Sequence, residues 1–396
     1  MKPRILLIAG LILSVTGCEK ATGHRVLHLE EDGVPIIRTE GGPKYDTPLF
    51  EIESDLILGV DEGEPAWQMF AYSPVLLVAP DGRLVLIDRE TFSICIVSRS
   101  GELLHQVGRE GSGPGEFRNI LDAFWAERGR EFWVTDQMNN RITRISIDGE
   151  VLEGMNYSGI RSSYSRFWNL GHRTFMAHGQ DRDFADPSTR TMRYAIMNDQ
   201  LEIAAELFTL EGPRYFRISE HGWSPVPWIS YPRPVATPTS QILLVQPNHP
   251  RLSFYTASAE PLLHIERDWD LVPISQEEKQ DYRQAMREHY PDAEVGSIQF
   301  PDYKPPFQRA LVDTENRIWL QRYEALREES VGDEPGKLIG YEYEIYSSEG
   351  VWLGTHLNRR SIHLIQNSCL YQFFMSEAGA PRLERLRLVP LVREMQ

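Results

Sequence analysis

Two stretches of the chain repeat the same pattern of apolar runs and turns. Residues 84–104 read LVLIDRETFSICIVSRSGELL, and residues 132–152, which lie 48 positions further on, read FWVTDQMNNRITRISIDGEVL. Each copy has an apolar run that ends in Asp, a second apolar run, a turn that contains Gly, and the start of a third run. One more apolar run precedes each copy, at 74–79 and at 120–126. Four strands repeated at a period of about 50 residues indicate a blade of a β-propeller.

Looser copies of the same outer hairpin follow along the chain. Their turns lie at 198–200, 258–260 and 349–351, and an apolar run follows each turn. The sequence therefore predicts five blades with a recognisable outer hairpin.

The two ends of the chain complete a sixth blade. Three further strands are expected at 362–366, 369–375 and 383–388, and the missing fourth is supplied by 49–58 near the start. Pairing first with last removes the exposed sheet edge that an open array would leave. We predict an all-β fold: a six-bladed β-propeller of four-stranded antiparallel blades, in which the N-terminal strand closes the last blade.

One helix interrupts the strand pattern. Ser275-Gln276-Glu277-Glu278 has the spacing of a capping box, and Pro291 ends the helical pattern. We expect a helical insertion at 275–290 that lies against the propeller; a lid over the channel is the alternative.

The N-terminus has the features of an export signal. Lys2 and Arg4 precede the apolar run 5–13, and small residues lead to Cys18. Val15-Thr16-Gly17-Cys18 resembles the lipobox of bacterial lipoproteins, in which the cysteine carries the lipid and becomes the new N-terminus. We therefore expect a signal peptide at 1–17, a lipid-anchored tether at 18–47 and the propeller at 48–396. An ordinary secretory signal is the alternative.

Charge limits the classes of partner. The chain has 41 Lys and Arg against 57 Asp and Glu, and removing Lys2 and Arg4 would make the net charge more negative than −16. This balance argues against nucleic acid as a partner, because nucleic acid requires basic patches. The expected partners are a membrane through the N-terminal lipid and an unidentified glycan, peptide or envelope protein. The residue after Cys18 is Glu19, whereas Asp at this position is the familiar signal for retention in the inner membrane of some bacteria. The absence of Asp therefore favours the outer membrane.

A glycine-rich connector between the first two blades resembles a known repeat. Residues 108–117 read GREGSGPGEF, and 133–142 read WVTDQMNNRI. Together they resemble the NHL repeat of six-bladed propeller lipoproteins in bacteria, over about 59–157. The resemblance implies the fold; relatives of this kind include binders of protein or RNA and some metal-dependent lyases and lactonases. We expect positive φ at Gly113 and Gly115, and Phe117 packed between blades.

Polar residues near this connector have simple structural roles available. Asp88, Asp136 and Asn140 are expected to bond backbone amides of their turns. Cys95 and Cys369 each lie in an apolar run, so we expect buried, small side chains, although a disulfide between them stays open.

Loops at one mouth of the channel hold the candidate metal ligands, because function concentrates in loops on a rigid scaffold. These candidates are His178, Asp181, Asp183 and His249. A divalent cation is possible there, while solvated loop residues are the alternative and no other cofactor is expected.

Aromatic and basic residues are the candidates for binding a ligand. Aromatic rings on stiff connectors provide stacking surfaces for sugars or peptides, and arginines hold anionic groups. The candidates are Trp168, Tyr215, Trp223, Trp228, Arg109 and Arg141. Packing between blades is the alternative for the aromatic side chains, and surface ion pairs for the two arginines.

These features favour a membrane-anchored extracytoplasmic module that binds a ligand or a protein. The alternative is a metal-dependent enzyme of the lactonase or lyase kind, with its site at the central channel. The sequence contains no Gly-x-Ser-x-Gly motif and assigns no catalytic residue.

Overall fold

The structure is a computed structural model. It describes residues 23–61, 65–68, 70, 74–156, 164–180, 190–246, 251–323, 328–329, 337–338 and 340–393. The predicted signal peptide, Cys18 and the start of the tether lie outside these residues.

Three strands precede the first complete blade. They are β1 (Arg25–Glu31), β2 (Val34–Glu40) and β3 (Phe50–Leu58). Blade 1 then consists of β4 (Val75–Val78), β5 (Leu84–Ile87), β6 (Ile94–Val97) and β7 (Leu103–Val107). Blade 2 consists of β8 (Ile120–Glu127), β9 (Glu131–Asp136), β10 (Arg141–Ser146) and β11 (Val151–Asn156). Blade 3 consists of β12 (Arg166–Asn169), β13 (Phe175–Gln180), β14 (Thr191–Met197) and β15 (Ile203–Glu211).

The second half of the ring has longer connections. A small hairpin of β16 (Tyr215–Arg217) and β17 (Trp223–Pro225) precedes blade 4, which contains β18 (Arg233–Ala236), β19 (Ile242–Gln246), β20 (Arg251–Tyr255) and β21 (Pro261–Arg267). The helix α1 (Gln276–His289) lies before blade 5, which contains β22 (Phe307–Val312), β23 (Ile318–Arg322), β26 (Tyr341–Tyr346) and β27 (Trp352–Asn358). Two short strands, β24 (Glu328–Glu329) and β25 (Lys337–Leu338), pair between β23 and β26. Blade 6 contains β28 (Leu364–Gln366), β29 (Cys369–Met375), β30 (Pro381–Pro390) and β3.

The predicted fold class is confirmed. Six four-stranded antiparallel blades form a ring, and β3 pairs with β30 from Phe50↔Pro390 to Leu58↔Leu383. The first strand therefore closes the last blade.

Apolar side chains between neighbouring blades form the core. One face of each blade packs on the blade before it and the other face on the blade after it, so that six clusters run round the ring and the last joins blade 6 to blade 1. Phe117 is fully buried between blades 1 and 2, as the sequence predicts. Cys95 and Cys369 are free thiols, both buried between blades 6 and 1, where burial raises the pKa of each.

The N-terminal segment differs from a plain tether. Of the stretch 18–47, residues 25–40 form the antiparallel hairpin β1–β2, and β2 runs parallel to β21 at the outer edge of blade 4. Asp32 and Gly33 both have positive φ at the turn of this hairpin, which is the geometry that Asp-Gly favours in two-residue hairpin turns. Blade 4 thus becomes a six-stranded sheet.

The helix has the predicted boundaries. Ser275 caps it by accepting a bond from the Glu278 amide, while the Glu278 carboxylate accepts one from the Ser275 amide. None of its side chains is fully buried, and Tyr282 and Met286 pack on the connector that contains β16 and β17. Among the described residues, the helix therefore packs on the two connectors and not on the blade cores.

The connector between blades 1 and 2 and the turn between β9 and β10 each differ from the sequence prediction in one detail. In the connector, Gly115 has φ +71 as predicted, but Gly113 does not have positive φ, whereas Gly108 and Gly111 do, with φ +92 and +149. Asp88 and Asp136 accept bonds from turn amides as expected, whereas Asn140 supplies a positive φ of 52° and its side-chain oxygen has no partner among the described residues. Asparagine is suited to that position because it tolerates left-handed backbone.

Candidate functional site

One end of the central channel is built from the blade-to-blade connectors and the loops between second and third strands. We call this end the connector mouth. Each innermost strand begins there, since it directly follows a connector. Side chains at the beginnings of these strands therefore decide what the connector mouth presents to a ligand.

Strand register places five residues at equivalent positions round the connector mouth, and we call them the mouth ring. Each lies on the innermost strand of its blade and pairs with a residue near the end of the second strand. The pairs are Val75↔Ile87, Asp122↔Thr135, Arg166↔His178, Arg233↔Val245 and Arg309↔Gln321. Blades 3, 4 and 5 thus contribute three consecutive arginines. In blade 6, His363 immediately precedes the innermost strand.

The residues around Arg166 face blade 4. His178 and Tyr194 follow Arg166 across blade 3, and the His178 ring lies 5.1 Å from the Tyr194 ring and 6.3 Å from the Trp168 ring, centroid to centroid. Tyr194 and Trp168 belong to the cluster that packs blade 3 on blade 4. Arg166 itself is exposed at the inner edge of this row.

The other two ring arginines are held by neutral groups. Arg233 is exposed; its guanidinium carbon lies 4.3 Å from the centre of the Tyr231 ring, and it donates to the Tyr231 hydroxyl at 2.7 Å. Arg309 is half-buried and donates to the carbonyls of Ile362 at 3.0 Å and His363 at 2.7 Å, which links blade 5 to blade 6. Among the described residues, none of the three ring arginines forms a salt bridge with a carboxylate.

Electrostatic coupling shows that these charges act on a common region. Burial and, to a lesser extent, the charges of Arg166 and Arg233 together lower the pKa of His178 to about 4. Burial lowers the pKa of Arg309, and the charge of Arg233 acts in the same direction. His363, beside Arg309, has a pKa of about 4 for the same two reasons, burial and the arginine charge. Both histidines are therefore neutral at pH 7, and the positive charge here is that of the arginines.

Asp122 is the acidic member of the mouth ring. Burial raises its pKa to about 6, against a backbone bond from Ala123 and the charges of Arg166 and Arg89. An Arg89 guanidinium nitrogen lies 3.9 Å from its carboxylate. Even when Asp122 is ionised, the mouth ring keeps a net positive charge.

Two long connectors pack together beside blades 3, 4 and 5, and we call them the connector cap (residues 212–232 and 268–306). Phe216 and Val226 of the first connector form a small core with Val295 and Ile298 of the second. The Glu294 amide donates to the Arg217 carbonyl at 3.0 Å. The first connector leads directly into Arg233 and the second into β22, which carries Arg309.

The aromatic candidates have different surroundings. Trp228, with φ +57, packs on Tyr282 and Phe300 at centroid distances of 5.8 and 5.5 Å, inside the connector cap. Tyr215 and Trp223 are half-buried and lie under the guanidinium groups of Arg190 and Arg217. Trp168 is the aromatic candidate that lies next to the mouth ring.

The two arginine candidates from the sequence are engaged within their own connector. Arg109 forms a salt bridge with Glu116 at 2.7 Å. Arg141 donates to the carbonyls of Ser112, Gly113 and Glu116, so it holds the glycine-rich connector in shape. Their positions fit the alternative of local pairing, and they do not join the mouth ring.

The metal candidates cannot be assembled into one site from the described residues. Asp181, Asp183 and His249 lie outside them, while both ring nitrogens of His178 are buried without a hydrogen-bond partner in the part that is described. Within that same part, no group of three or more His, Cys, Asp and Glu side chains is placed to hold a metal ion.

Sequence reasoning missed the mouth ring, although a signal was present. Aligning the blades on the end of the second strand brings Asp122, Arg166, Arg233 and Arg309 into register, each on an inner strand and each followed by an apolar residue. Four blades carry a charged residue at this position, where blade 1 has Val75. The recurrence of charge indicates that the position faces a surface and not the packed core.

Comparison with known proteins agrees with this architecture. A family model described as a 6-bladed beta-propeller, DUF5128, matches residues 73–221, which is less than half of the chain. No curated protein matches the chain. The structure is similar to a protein of Bacteroides fragilis NCTC 9343 whose name presents it as a presumed exported protein, with 11% identity, 89% of this chain and 99% of that chain covered, and a TM-score of 0.53.

Two further structures show a weaker likeness. A member of the DUF4221 family from Bacteroides vulgatus is 11% identical over 86% of this chain and 99% of its own, with a TM-score of 0.47. A virginiamycin B lyase from Staphylococcus aureus is 10% identical over 86% of this chain and all of its own, with a TM-score of 0.42. The likeness to the first protein shows the propeller fold, and no activity is inferred from any of the three.

The described part of the chain contains no helix that is both long and apolar enough to cross a membrane.

Proposed function

We propose that this chain is an exported, lipid-anchored propeller that binds a ligand at the connector mouth, beside blades 3, 4 and 5. The observation that carries the proposal is the asymmetry of this mouth. Blade 1 has Val75 at the ring position, whereas blades 3, 4 and 5 carry arginines there and adjoin the connector cap. If the connector mouth served only to hold the blades together, three of the blades would not need arginines at a position where blade 1 has valine.

Export and anchoring are supported by the N-terminal sequence. The basic and apolar segments that lead to Cys18 have the order of a lipoprotein signal, and a structurally similar protein carries a name that presents it as exported. More than one acyl chain on Cys18 gives a stable anchor, because each buried CH₂ contributes ~0.8 kcal/mol. The propeller then lies outside the cytoplasm.

Lipidation can be tested by palmitate labelling of the full chain in a bacterial host. The wild-type chain is expected to incorporate label and to sediment with membranes, whereas Cys18→Ser is expected to do neither. Label in the Cys18→Ser chain, or a soluble wild-type chain, would contradict the anchoring.

Ligand binding can be tested with glycan and peptide arrays probed by the mature chain with Cys18→Ser, which stays free of lipid. We expect Arg233→Gln to abolish specific binding. Arg99→Gln, in the exposed turn between β6 and β7 away from the connector mouth, is expected to leave it unchanged. Binding that both variants retain would place the site elsewhere.

Elemental analysis of the same dialysed protein separates this proposal from a metal-dependent enzyme. A stoichiometric divalent cation would overturn the binding-module proposal and direct attention to lactone and ester substrates.

A further inference from the structure

We propose that Arg166, Arg233 and Arg309 form a binding site for an oxyanion group, which is a carboxylate, sulfate or phosphate, on the ligand of the connector mouth. This inference rests on the proposed function and names the chemistry of its ligand. It begins from the register, which places the three arginines at the same position of three consecutive blades.

The ring arginines have hydrogen-bond donors that no protein group uses. A guanidinium group has five N–H donors in a planar fork that matches carboxylate and phosphate oxygens. Arg233 uses a donor on the Tyr231 hydroxyl, and Arg309 uses two donors on carbonyls. Arg166 and Arg233 are exposed, so their remaining donors are open to a ligand.

The three ring arginines carry more positive charge than the carboxylates around them offset. Elsewhere near the mouth, Arg360 pairs with Glu384 at 2.7 Å and Arg382 with Asp61 at 2.7 Å. The three ring arginines have no such carboxylate among the described residues, in a chain with 57 acidic and 41 basic residues. Asp122, beside Arg166, offsets at most one of the three charges, and the repulsion among the charges that remain is relieved when an anion binds between them.

Neutral side chains surround the ring arginines. Arg166 and Arg233 both act on His178, and Arg233 acts on Arg309, so the three charges share one region. The half-buried rings of Tyr231 and Trp168 lie in the cluster that packs blade 3 on blade 4 and present aromatic surface, with no charge that competes for the arginines. Tyr231 also holds the Arg233 guanidinium by stacking and hydrogen bonding, so less side-chain freedom is lost on binding.

The test measures the thermal unfolding midpoint of the mature Cys18→Ser chain in millimolar sulfate, with chloride replaced at constant ionic strength. The wild-type chain is expected to show a saturable rise of the midpoint. Arg166→Gln and Arg233→Gln are each expected to weaken sulfate binding about tenfold, equivalent to ~1.4 kcal/mol. Arg99→Gln, which removes the same charge from the exposed turn between β6 and β7 at the opposite end of blade 1, controls for general effects of charge and of sulfate.

Glucuronate with glucose as its neutral counterpart separates a free anion from an acidic sugar. An acidic sugar is indicated if glucuronate binds more tightly than sulfate and glucose does not bind. A free oxyanion is indicated if only sulfate binds. Either outcome supports the site. A wild-type midpoint that responds no more to sulfate than to chloride, or an equal response in all three variants, would overturn it.

These results are separable from those for the proposed function. The arrays could identify a neutral ligand whose binding requires the connector mouth, while sulfate and glucuronate have no effect. The proposed function would then be supported, and the proposal of an oxyanion site would be wrong.

Discussion

Arg166 on the innermost strand of blade 3 pairs directly with His178 on the next strand. A permanent charge therefore lies beside an imidazole whose two nitrogens are buried and have no partner among the described residues. Because the charged imidazole would be both desolvated and repelled, the His178 side chain acts in this structure as an aromatic ring that packs on Tyr194 and Trp168.

The first prediction concerns His178→Phe. A buried polar group without a partner costs ~1–3 kcal/mol, so a phenyl ring of similar shape is expected to raise the free energy of unfolding at pH 7 by ~1 kcal/mol. The gain should grow at pH 5. The folded pKa of about 4 lies below the ordinary 6.5, so the unfolded chain binds the proton first and wild-type stability falls as the pH falls from 6.5 to 4.

Urea denaturation at pH 7 and pH 5 measures both effects. His105→Phe, on an exposed residue of β7, is the control and is expected to change stability by less than ~0.5 kcal/mol. A loss of stability in His178→Phe at pH 7 would mean that the imidazole has a polar partner.

The second prediction concerns Asp122 and the pH dependence of anion binding. Its pKa of about 6 means that a negative charge appears beside Arg166 between pH 5 and pH 7, facing Arg89 from blade 1 and Thr135 from its own blade. Sulfate affinity is expected to fall ~2- to 5-fold over that interval, as suits a partly screened charge near the surface. His178 and His363 stay neutral there, because both have a pKa of about 4.

Titrating sulfate at pH 5 and pH 7 into the wild-type chain and Asp122→Asn tests this. The variant is expected to bind equally at both values, as tightly as the wild-type chain does at pH 5. The free energy of unfolding is expected to change in the same direction. Because the pKa of Asp122 is raised in the folded state, the wild-type chain loses stability as the pH rises from about 4 to about 6, and Asp122→Asn removes that loss. An unchanged pH dependence in Asp122→Asn would assign the titration to another group.

The third prediction concerns closure of the ring. Phe50 on β3 is buried, stacks on Trp319 of blade 5 at 5.6 Å and belongs to the strand that completes blade 6. Phe50→Ala is expected to lower the free energy of unfolding by ~3–5 kcal/mol, which is the range for removing a core phenyl ring. Ile57→Ala, on the same strand but 54% exposed, should cost less than ~0.5 kcal/mol in the same denaturant titration. Equal effects would show that β3 contributes no core.

The fourth prediction concerns a buried carboxylate in blade 5. The Glu344 side chain is 2% exposed and accepts bonds from Arg267 at 2.7 Å, Tyr346 at 2.8 Å and Trp269 at 3.2 Å. Glu344→Ala is expected to cost ~3–5 kcal/mol, because Arg267 keeps a desolvated charge without its partner.

Glu342→Ala is the matched control on the same strand. Its carboxylate lies 3.9 Å from the Arg322 guanidinium, whose side chain is 39% exposed, so the expected cost is under ~1 kcal/mol by thermal or chemical unfolding. A small effect of Glu344→Ala would mean that water reaches Arg267 after the change.

Much of the fold was predictable because it is written in local periodicity. The repeat that starts at Leu84 and Phe132 identifies four strands per blade, and counting the strands after Ile362 shows that one is missing and must come from Phe50–Leu58. The capping box at Ser275 is likewise a local signal, and the helix begins there.

The N-terminal hairpin was missed despite a local signal. Asp32-Gly33 between two partly apolar runs is typical of a hairpin turn, yet no pattern in β1 or β2 indicates that β2 pairs in parallel with β21, more than 200 residues later. Such a pairing depends on which outer edge of the ring is reachable once the blades have formed.

The class of fold, the number of blades, the strand that closes the ring and the start of the helix follow from the order of amino acids, because each depends on the spacing of apolar residues, turns and caps along the chain. Two features emerge only in the folded protein: Asp122, Arg166, Arg233 and Arg309 occupy one ring, and two distant connectors share a small core. Charges from separate blades influence one another only after closure of the ring brings the inner strands round a common channel.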